Sequence, residues 1–407
     1  ERYLKEENRN IWEYSLNLSE EEQQLIYYHF WELKDVNIKY LFTGFNCATI
    51  VHDMLSMTSA KFSNDDRLWI TPKDVIKDAK KSKIIKGVTL RASEKWHIKM
   101  LLEKLKESNS SSLVNTIKNV HLDSIGDIKF SPNFKTMFLE KELLIAYAQY
   151  QYEHDHIKQS TEYKIAKLIN LKKAIQTTKY SLDLSSYKNP LNTFDDTQMG
   201  LSYIKTDSEK SLLFSFLPAS NTIYDDNREY FGESDLRIME LNLLINKNRV
   251  KIDSFNLYKM KSLLPWDNLT GGISSALNIN YEPHYDIKLG KFKAYNISAG
   301  IGYTKQYYND IFVYSLLNGG IAYGESKFYT YLYPEFGLLM YEVFDMKTVL
   351  NYKYIYNQYG SHNAYHDLRM EQSLFIDKKV RLGFGIDYNS IRKNKKTNYL
   401  FSLNYFF

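Results

Sequence analysis

The sequence predicts an α+β chain: a helical amino-terminal part followed by a transmembrane antiparallel β-barrel of about 12 strands. Three observations carry this reading. From residue 199 onward the apolar period is two. Tyrosine is abundant and unevenly spread: 35 in the chain, 24 of them after residue 198. The chain also stops on an aromatic residue at the end of its last alternating run, where Tyr399, Phe401, Leu403, Tyr405 and Phe407 share one face and Ser402 and Asn404 the other.

The other runs follow the same rule. Val380, Leu382, Phe384, Ile386 and Tyr388 oppose Arg381, Gly383, Gly385 and Asp387. Tyr295, Ile297, Ala299, Ile301 and Tyr303 oppose Asn296, Ser298, Gly300 and Gly302. Over 237–245, Met239, Leu241, Leu243 and Ile245 oppose Arg237, Ile238, Glu240, Asn242 and Leu244. A soluble sandwich also alternates. Here, however, tyrosines gather at strand ends as in interfacial girdles, and the second face carries charge and glycine rather than another core. The aromatic ending resembles the carboxy-terminal assembly signal of bacterial outer-membrane barrels. A spanning strand needs roughly 9–11 residues, so about 12 strands with tight turns fit 199–407. Val380, Leu382, Phe384 and Ile386 are expected to face lipid.

Composition narrows the rest. The chain begins at Glu1 with no signal-peptide pattern and reads as a mature or truncated piece. A single cysteine excludes an internal disulfide and a multi-thiolate metal site. A net charge of +5, with both signs spread throughout, gives no case for nucleic acid. The mean hydropathy is −0.45 and no run of roughly 18 apolar residues occurs, so no transmembrane helix is expected. No cofactor or metal is expected.

Residues 1–107 read as a helical, globular domain. Ser19 and Glu22 form a capping box ahead of a helix through Leu33, with Leu25, Ile26, His29, Phe30 and Leu33 on its core face. Pro72 opens a short helix after a loop. Ser93 caps a helix to about Lys106. Residues 108–198 form a serine-rich linker and a long polar helical stretch over 135–182, broken near 160, that packs on a neighbour. Residues 199–407 are the barrel.

The stretch Phe45-Asn46-Cys47-Ala48-Thr49 holds the only cysteine. Asn46 is a good N-cap, which places Cys47 at the first helical position. Ile50, Val51, Met54 and Leu55 then face a core. The positive end of a helix dipole favours a thiolate. The competing reading is a small buried hydrophobe.

The string Arg9-Asn10-Ile11-Trp12-Glu13-Tyr14-Ser15-Leu16-Asn17-Leu18-Ser19, followed by Asn46-Cys47-Ala48-Thr49 and Asp53, resembles the Lnb N-terminal periplasmic family. The resemblance covers residues 1–105 in good order and 135–407 more loosely. It implies a papain-like, NlpC/P60-related fold, of which 1–107 would be the second half, joined to an outer-membrane barrel. Some members are lipoprotein N-acyltransferases. The resemblance therefore implies Cys47 as nucleophile and a histidine base in a Gly-His-Ser/Thr motif upstream of it. No such motif precedes Cys47 here, and it is expected before Glu1.

Other histidines weigh less. His52 lies about 140° round the helix from Cys47 and reads as a surface histidine. His29 reads as a core histidine. His97 is the internal candidate for a base. His154 and His156 flank Asp155 on a solvated face rather than at a metal. The Asn46 amide could help shape an oxyanion site, and Asp53 reads as a structural anchor. The implied function is acyl transfer through a Cys47 thioester at the inner face of the outer membrane. Its partners would be outer-membrane lipid and either lipoproteins or peptidoglycan. The alternatives are a peptidoglycan amidase or peptidase and a non-enzymatic porin or scaffold.

Overall fold

The computed structural model of the protein describes residues 7–41, 45–58, 70–106, 129–154 and 187–407. Within the last range, 207–208, 248, 287–289, 309, 358–362 and 392–393 are left out, and positions 4, 62, 114, 117, 169, 170 and 173 are described singly. The chain forms two compact units, residues 1–96 with 179–192, and residues 97–178 with 193–407.

The first unit pairs β1 (Ile11–Leu16) antiparallel with β2 (Ile85–Arg91). Neither strand is anticipated by the helical reading, because each is six or seven residues long and only half-buried. Three helices lie between them: α1 (Glu20–Leu33), α2 (Cys47–Ser56) and α3 (Pro72–Lys81). Each begins on a capping box, at Ser19–Glu22, Asn46–Thr49 and Thr71–Asp74. Pro72 opens α3, where its missing N–H costs nothing. The core is Ala48, Leu55, Phe62, Ile70, Val75, Ala79 and Ile84, flanked by Leu16, Ile26 and Ile85. On α1 only Ile26 of the expected core face reaches it; Leu25 and Phe30 are exposed. His29, also expected in the core, instead shares a hydrogen bond with Glu32, Nδ1 to Oε2 at 3.2 Å.

α4 (Glu94–Lys106) starts on Ser93, whose Oγ accepts the Trp96 N–H, and the division between the units falls inside this helix. α5 (Phe134–His154) buries Phe138, Leu139, Leu143 and Ala146, so the long polar stretch contributes to a core. His154 and His156 lie outside the described side chains. No described helix is long and apolar enough to cross a membrane.

The second unit contains a closed antiparallel barrel of twelve strands. Its strands are β3 (Gln198–Thr206), β4 (Lys210–Leu217), β6 (Glu233–Asn246), β7 (Arg249–Leu263), β8 (Ser274–Asp286) and β9 (Gly290–Tyr307). They continue with β10 (Ile311–Gly324), β11 (Lys327–Glu342), β12 (Met346–Asn357), β13 (Asn363–Phe375), β14 (Val380–Ile391) and β15 (Asn394–Phe406). The short β5 (Ala219–Asn221) carries β4 onward past Pro218, which has no N–H for the ladder. The first strand pairs the last, Leu201 opposite Leu403, and β4 pairs β6. No edge is left open, as a membrane interior demands.

The two faces of the wall differ as the alternation requires. Ile297 is 60% exposed and its neighbour Asn296 3%. Phe384 and the Tyr399–Phe407 series point outward, while Arg381, Ser373 and Glu371 are buried inside. The 237–245 run is the exception, since its alternation slips at Ile238. Met239 has φ of 56° and is unpaired on β7, while Ile238–Tyr258 and Glu240–Asn256 on either side of it keep one register. The break in the strand's alternation at this residue turns Glu240 to the interior beside Arg237. Inside, tyrosines take the space that glycines leave. A Cβ on Gly337 would collide with the Tyr314 ring and one on Gly320 with Tyr331.

The chain enters the barrel at the end where β15 finishes. Phe406 is buried there against Phe194 and Phe375, and the Phe407 N–H reaches Thr197 O at 2.9 Å. At the same end Lys99 of α4 donates to Pro265 O (3.1 Å) and Gly271 O (2.9 Å) and pairs with Asp267 in the β7–β8 loop.

The lipid-facing assignment has a direct test. Leu317→Arg, on the outer face of β10, is expected to cost about 2–4 kcal/mol of folding free energy in lipid. Ser202→Ala, on the cavity face of β3, is expected to change it by less than about 1 kcal/mol. Denaturant titration in vesicles, followed by tryptophan fluorescence, measures both.

Candidate functional site

The helix start at Cys47 sets the sequence's single thiol at the first turn of a capped helix. Asn46 has extended backbone angles (φ −117°, ψ −178°), so the chain turns into the helix directly after it. Its Oδ1 accepts the N–H of Ala48 at 2.8 Å and of Thr49 at 3.1 Å. Thr49 Oγ1 returns the favour, accepting the Asn46 N–H at 2.6 Å. Asn46 Nδ2 donates to Ile70 O at 3.1 Å, tying the helix start to the segment that leads into α3. Asn46 is thus a buried cap with its amide engaged in the fold.

Cys47 stands at the first position of α2 and is exposed. The buried-hydrophobe reading is therefore set aside. Its backbone N–H makes no hydrogen bond among the described residues, because the cap oxygen serves the next two. The side of α2 that enters the core is Ala48, His52, Met54 and Leu55. This differs from the expected face: Val51 is exposed and His52 is 5% exposed. The surface reading of His52 is corrected by its ring contact with Phe62, centroids 5.2 Å apart. His52 also lies 3.8 Å from Asp53, whose own side chain is exposed. An i, i+4, i+7 stripe from Ala48 to Leu55 explains both shifts, since Ala48, rather than Ile50, begins the buried row.

His97 belongs to the second unit. It is half-buried on α4, and burial lowers its pKa below the ordinary histidine value, so it is neutral at pH 7. Tyr14, on β1, donates its hydroxyl to Asn189 Oδ1 at 3.0 Å, and burial raises its pKa to about 12. Among the described residues no group of histidine, cysteine and acidic side chains could hold a metal ion.

A second cluster of ionisable groups fills the barrel, and the sequence reading does not single it out. Asp235, Arg237 and Glu240 form one chain of ion pairs, Lys261 pairs with Glu335, and Arg369 bridges Glu371 (2.7 Å) and Asp387 (3.5 Å). The charged residues on the inward faces of β6, β7, β11, β13 and β14 were the available signal.

Two measurements check this geometry. Asn46→Ala removes the cap and is expected to destabilise the first unit by about 0.5–2 kcal/mol, read as a lowered melting temperature. For His97 the folded pKa lies below the unfolded one, so the unfolded state binds more protons as pH falls. Stability is then full above about pH 6.5 and lost as pH drops below it. His97→Gln should flatten that part of the stability–pH curve.

Comparison with known proteins follows the division of the chain. Residues 1–82 match the Lnb N-terminal periplasmic domain, and residues 187–406 match a domain of unknown function, DUF7840. No curated protein sequence matches. Among solved structures the barrel is similar to NanC porin (8% identity, 51% of this chain and 98% of that one, TM-score 0.35). It is also similar to KdgM porin (10% identity, 52% and 99%, TM-score 0.32) and to a loop-deletion form of OmpT from Vibrio cholerae (5% identity, 52% and 97%, TM-score 0.30). Twelve closed strands behind a periplasmic domain make this an outer-membrane protein with its amino-terminal domain in the periplasm. The chain belongs to the DUF7840 family, joined here to an Lnb N-terminal periplasmic domain.

Proposed function

We propose that this protein is a cysteine-dependent acyl-transfer enzyme of the periplasm, anchored to the outer membrane by its barrel. The observation that carries the reading is the exposed Cys47 thiol at the first position of α2 beside its own unengaged N–H. In the proposed cycle the Cys47 thiolate attacks the ester carbonyl of a membrane lipid. The Cys47 N–H donates to the oxyanion. Collapse of the tetrahedral intermediate breaks the ester C–O bond, the lysolipid alcohol leaves with a proton, and the acyl group stays as a thioester. An amine, such as the amino terminus of a lipoprotein, then attacks the thioester. An amide forms and the thiol is regenerated.

A thiol needs a base to enter this cycle. A helix dipole is worth only about 0.3–1 kcal/mol at an exposed site. Within the first unit, the described histidines are His29, hydrogen-bonded to Glu32 on α1, and His52, packed on Phe62. Cys47 is assigned no base among the described residues of this unit. The same observation favours a second reading, in which the domain binds a periplasmic partner without chemistry and the barrel is its anchor.

The test uses the protein reconstituted in phosphatidylethanolamine vesicles. Mass spectrometry should find a hydroxylamine-labile acyl adduct on Cys47, and Cys47→Ala should abolish it. No adduct, together with full cellular function of Cys47→Ala, leaves the binding scaffold as the reading that stands.

A further inference from the structure

The connection between β5 and β6, residues 222–232, turns into the barrel instead of running over its rim. It is built as a compact turn. The Thr222 N–H donates to Asp225 Oδ2 (2.6 Å), the Asp225 N–H to Thr222 O (3.0 Å), and the Tyr230 N–H to Asn227 O (2.9 Å). Thr222, Asp225 and Asn227 are buried.

Its ties reach the far wall. In the closed ring β6 and β12 are six places apart, so β12 faces the root of this segment across the lumen. Lys347 of β12 is 0% exposed, and its Nζ donates to Asp225 O (2.8 Å) and Glu233 Oε2 (2.7 Å). Tyr341 of β11 donates its hydroxyl to Glu233 Oε1 (2.7 Å) and accepts the Asn227 N–H (2.9 Å). Arg381 of β14 pairs with Asp225 at 2.7 Å, and Gln198 of β3 donates to Asp225 Oδ2 at 3.3 Å. Ile223 sits in a buried cluster with Leu263, Phe312, Leu316, Leu339 and Val349. Arg369 and Arg381 stand over the Tyr224 ring at 4.8 and 5.9 Å. The segment, rooted at β6, is thus tied to β3, β11, β12 and β14 and lies under Arg369 of β13.

Above it lies a cavity of about 440 Å³, floored by Thr222, Ile223 and Tyr224. Its lining runs up to Glu209, beside the β3–β4 turn at the opposite end of the barrel. Acidic and basic side chains line it in equal number. Such a lining favours neither sign of ion.

We infer that residues 222–232 are a plug that seals the periplasmic end of the barrel, so that the protein is not a diffusion pore and its lumen is a blind cavity open at the outer mouth. Ions and small solutes enter from the outer side and do not pass. Sequence and family give no hint of this, and it holds whatever chemistry Cys47 performs.

The experiment is conductance of the full protein in planar bilayers, with vesicle swelling in a small neutral sugar as the second readout. The intact protein should give no conductance steps and no swelling. A variant with residues 223–231 replaced by a glycine–serine segment of equal length, folded as judged by its heat-shifted gel band, should give both. Conductance of the intact protein overturns the inference. A folded variant that stays silent also overturns it, because the seal then lies elsewhere. Should that variant not fold, amide exchange of 222–232 in the intact protein decides. Exchange as slow as in the strands supports the plug, and exchange at loop rates overturns it.

Discussion

The pairing of β3 with β15 is the constraint on which the second unit depends. It joins strands whose pairing residues lie about two hundred positions apart, Gln198 to Phe406 and Asn398 to Thr206. Without it, two full strand edges would face hydrocarbon, where each unpaired backbone group costs several kcal/mol. Every other neighbour pair in the ring except β4–β6 is a hairpin that local sequence can specify. The last strand is pinned by more than its ladder. Phe406 turns inward onto Phe194 and Phe375 while Tyr405 and Phe407 stay outside. The aromatic ending is therefore part of closure as well as an outer girdle.

Closure creates a second problem, a wide interior that must be filled. The chain solves it with charge and tyrosine rather than with a hydrocarbon core. Buried ion pairs of this kind add little net stability, yet removing one partner typically costs about 3–5 kcal/mol, because the other is left uncompensated. The Lys347–Glu233 and Arg381–Asp225 pairs stand in that position, each with both members almost fully enclosed. They fix where the β5–β6 segment lies more than they hold the barrel together. The hydrophobic contacts of Ile223 and Tyr224 act in the same direction, so the segment is placed by two kinds of force at once.

The two units divide the chemistry. A barrel of this type offers rigid walls and a membrane address. The first unit offers an exposed thiol on a helix start that two segments brace, through the Asn46 cap and its bond to Ile70. At Cys47 the cap side chain satisfies the second and third N–H groups of the helix and leaves the first without a partner among the described residues.

Much of this was legible before any coordinates. A period of two is unambiguous over long runs, and the faces of β9, β14 and β15 follow from it directly. Caps are local, so Ser19, Asn46, Thr71 and Ser93 mark four helix starts, three of them anticipated as caps and that at Thr71 through Pro72. What depended on distant neighbours was not legible. β1 and β2 are short and half-buried, and they exist because each pairs with the other across some seventy residues. The rotation of α2 that buries His52 and exposes Val51 was decided by Phe62 and the Ala48 row, not by the apolar count of the helix. Met239 shifted a face because its backbone, at φ of 56°, breaks the strand's alternation. The inward turn of 222–232 was decided by Lys347 and Tyr341, more than a hundred positions away. Sequence alone thus determined periodicity, caps and membrane class, since these are set by each residue and its near neighbours. Only the tertiary structure decided which polar groups meet across the lumen, because burial makes their pairing obligatory and closure alone brings them within reach.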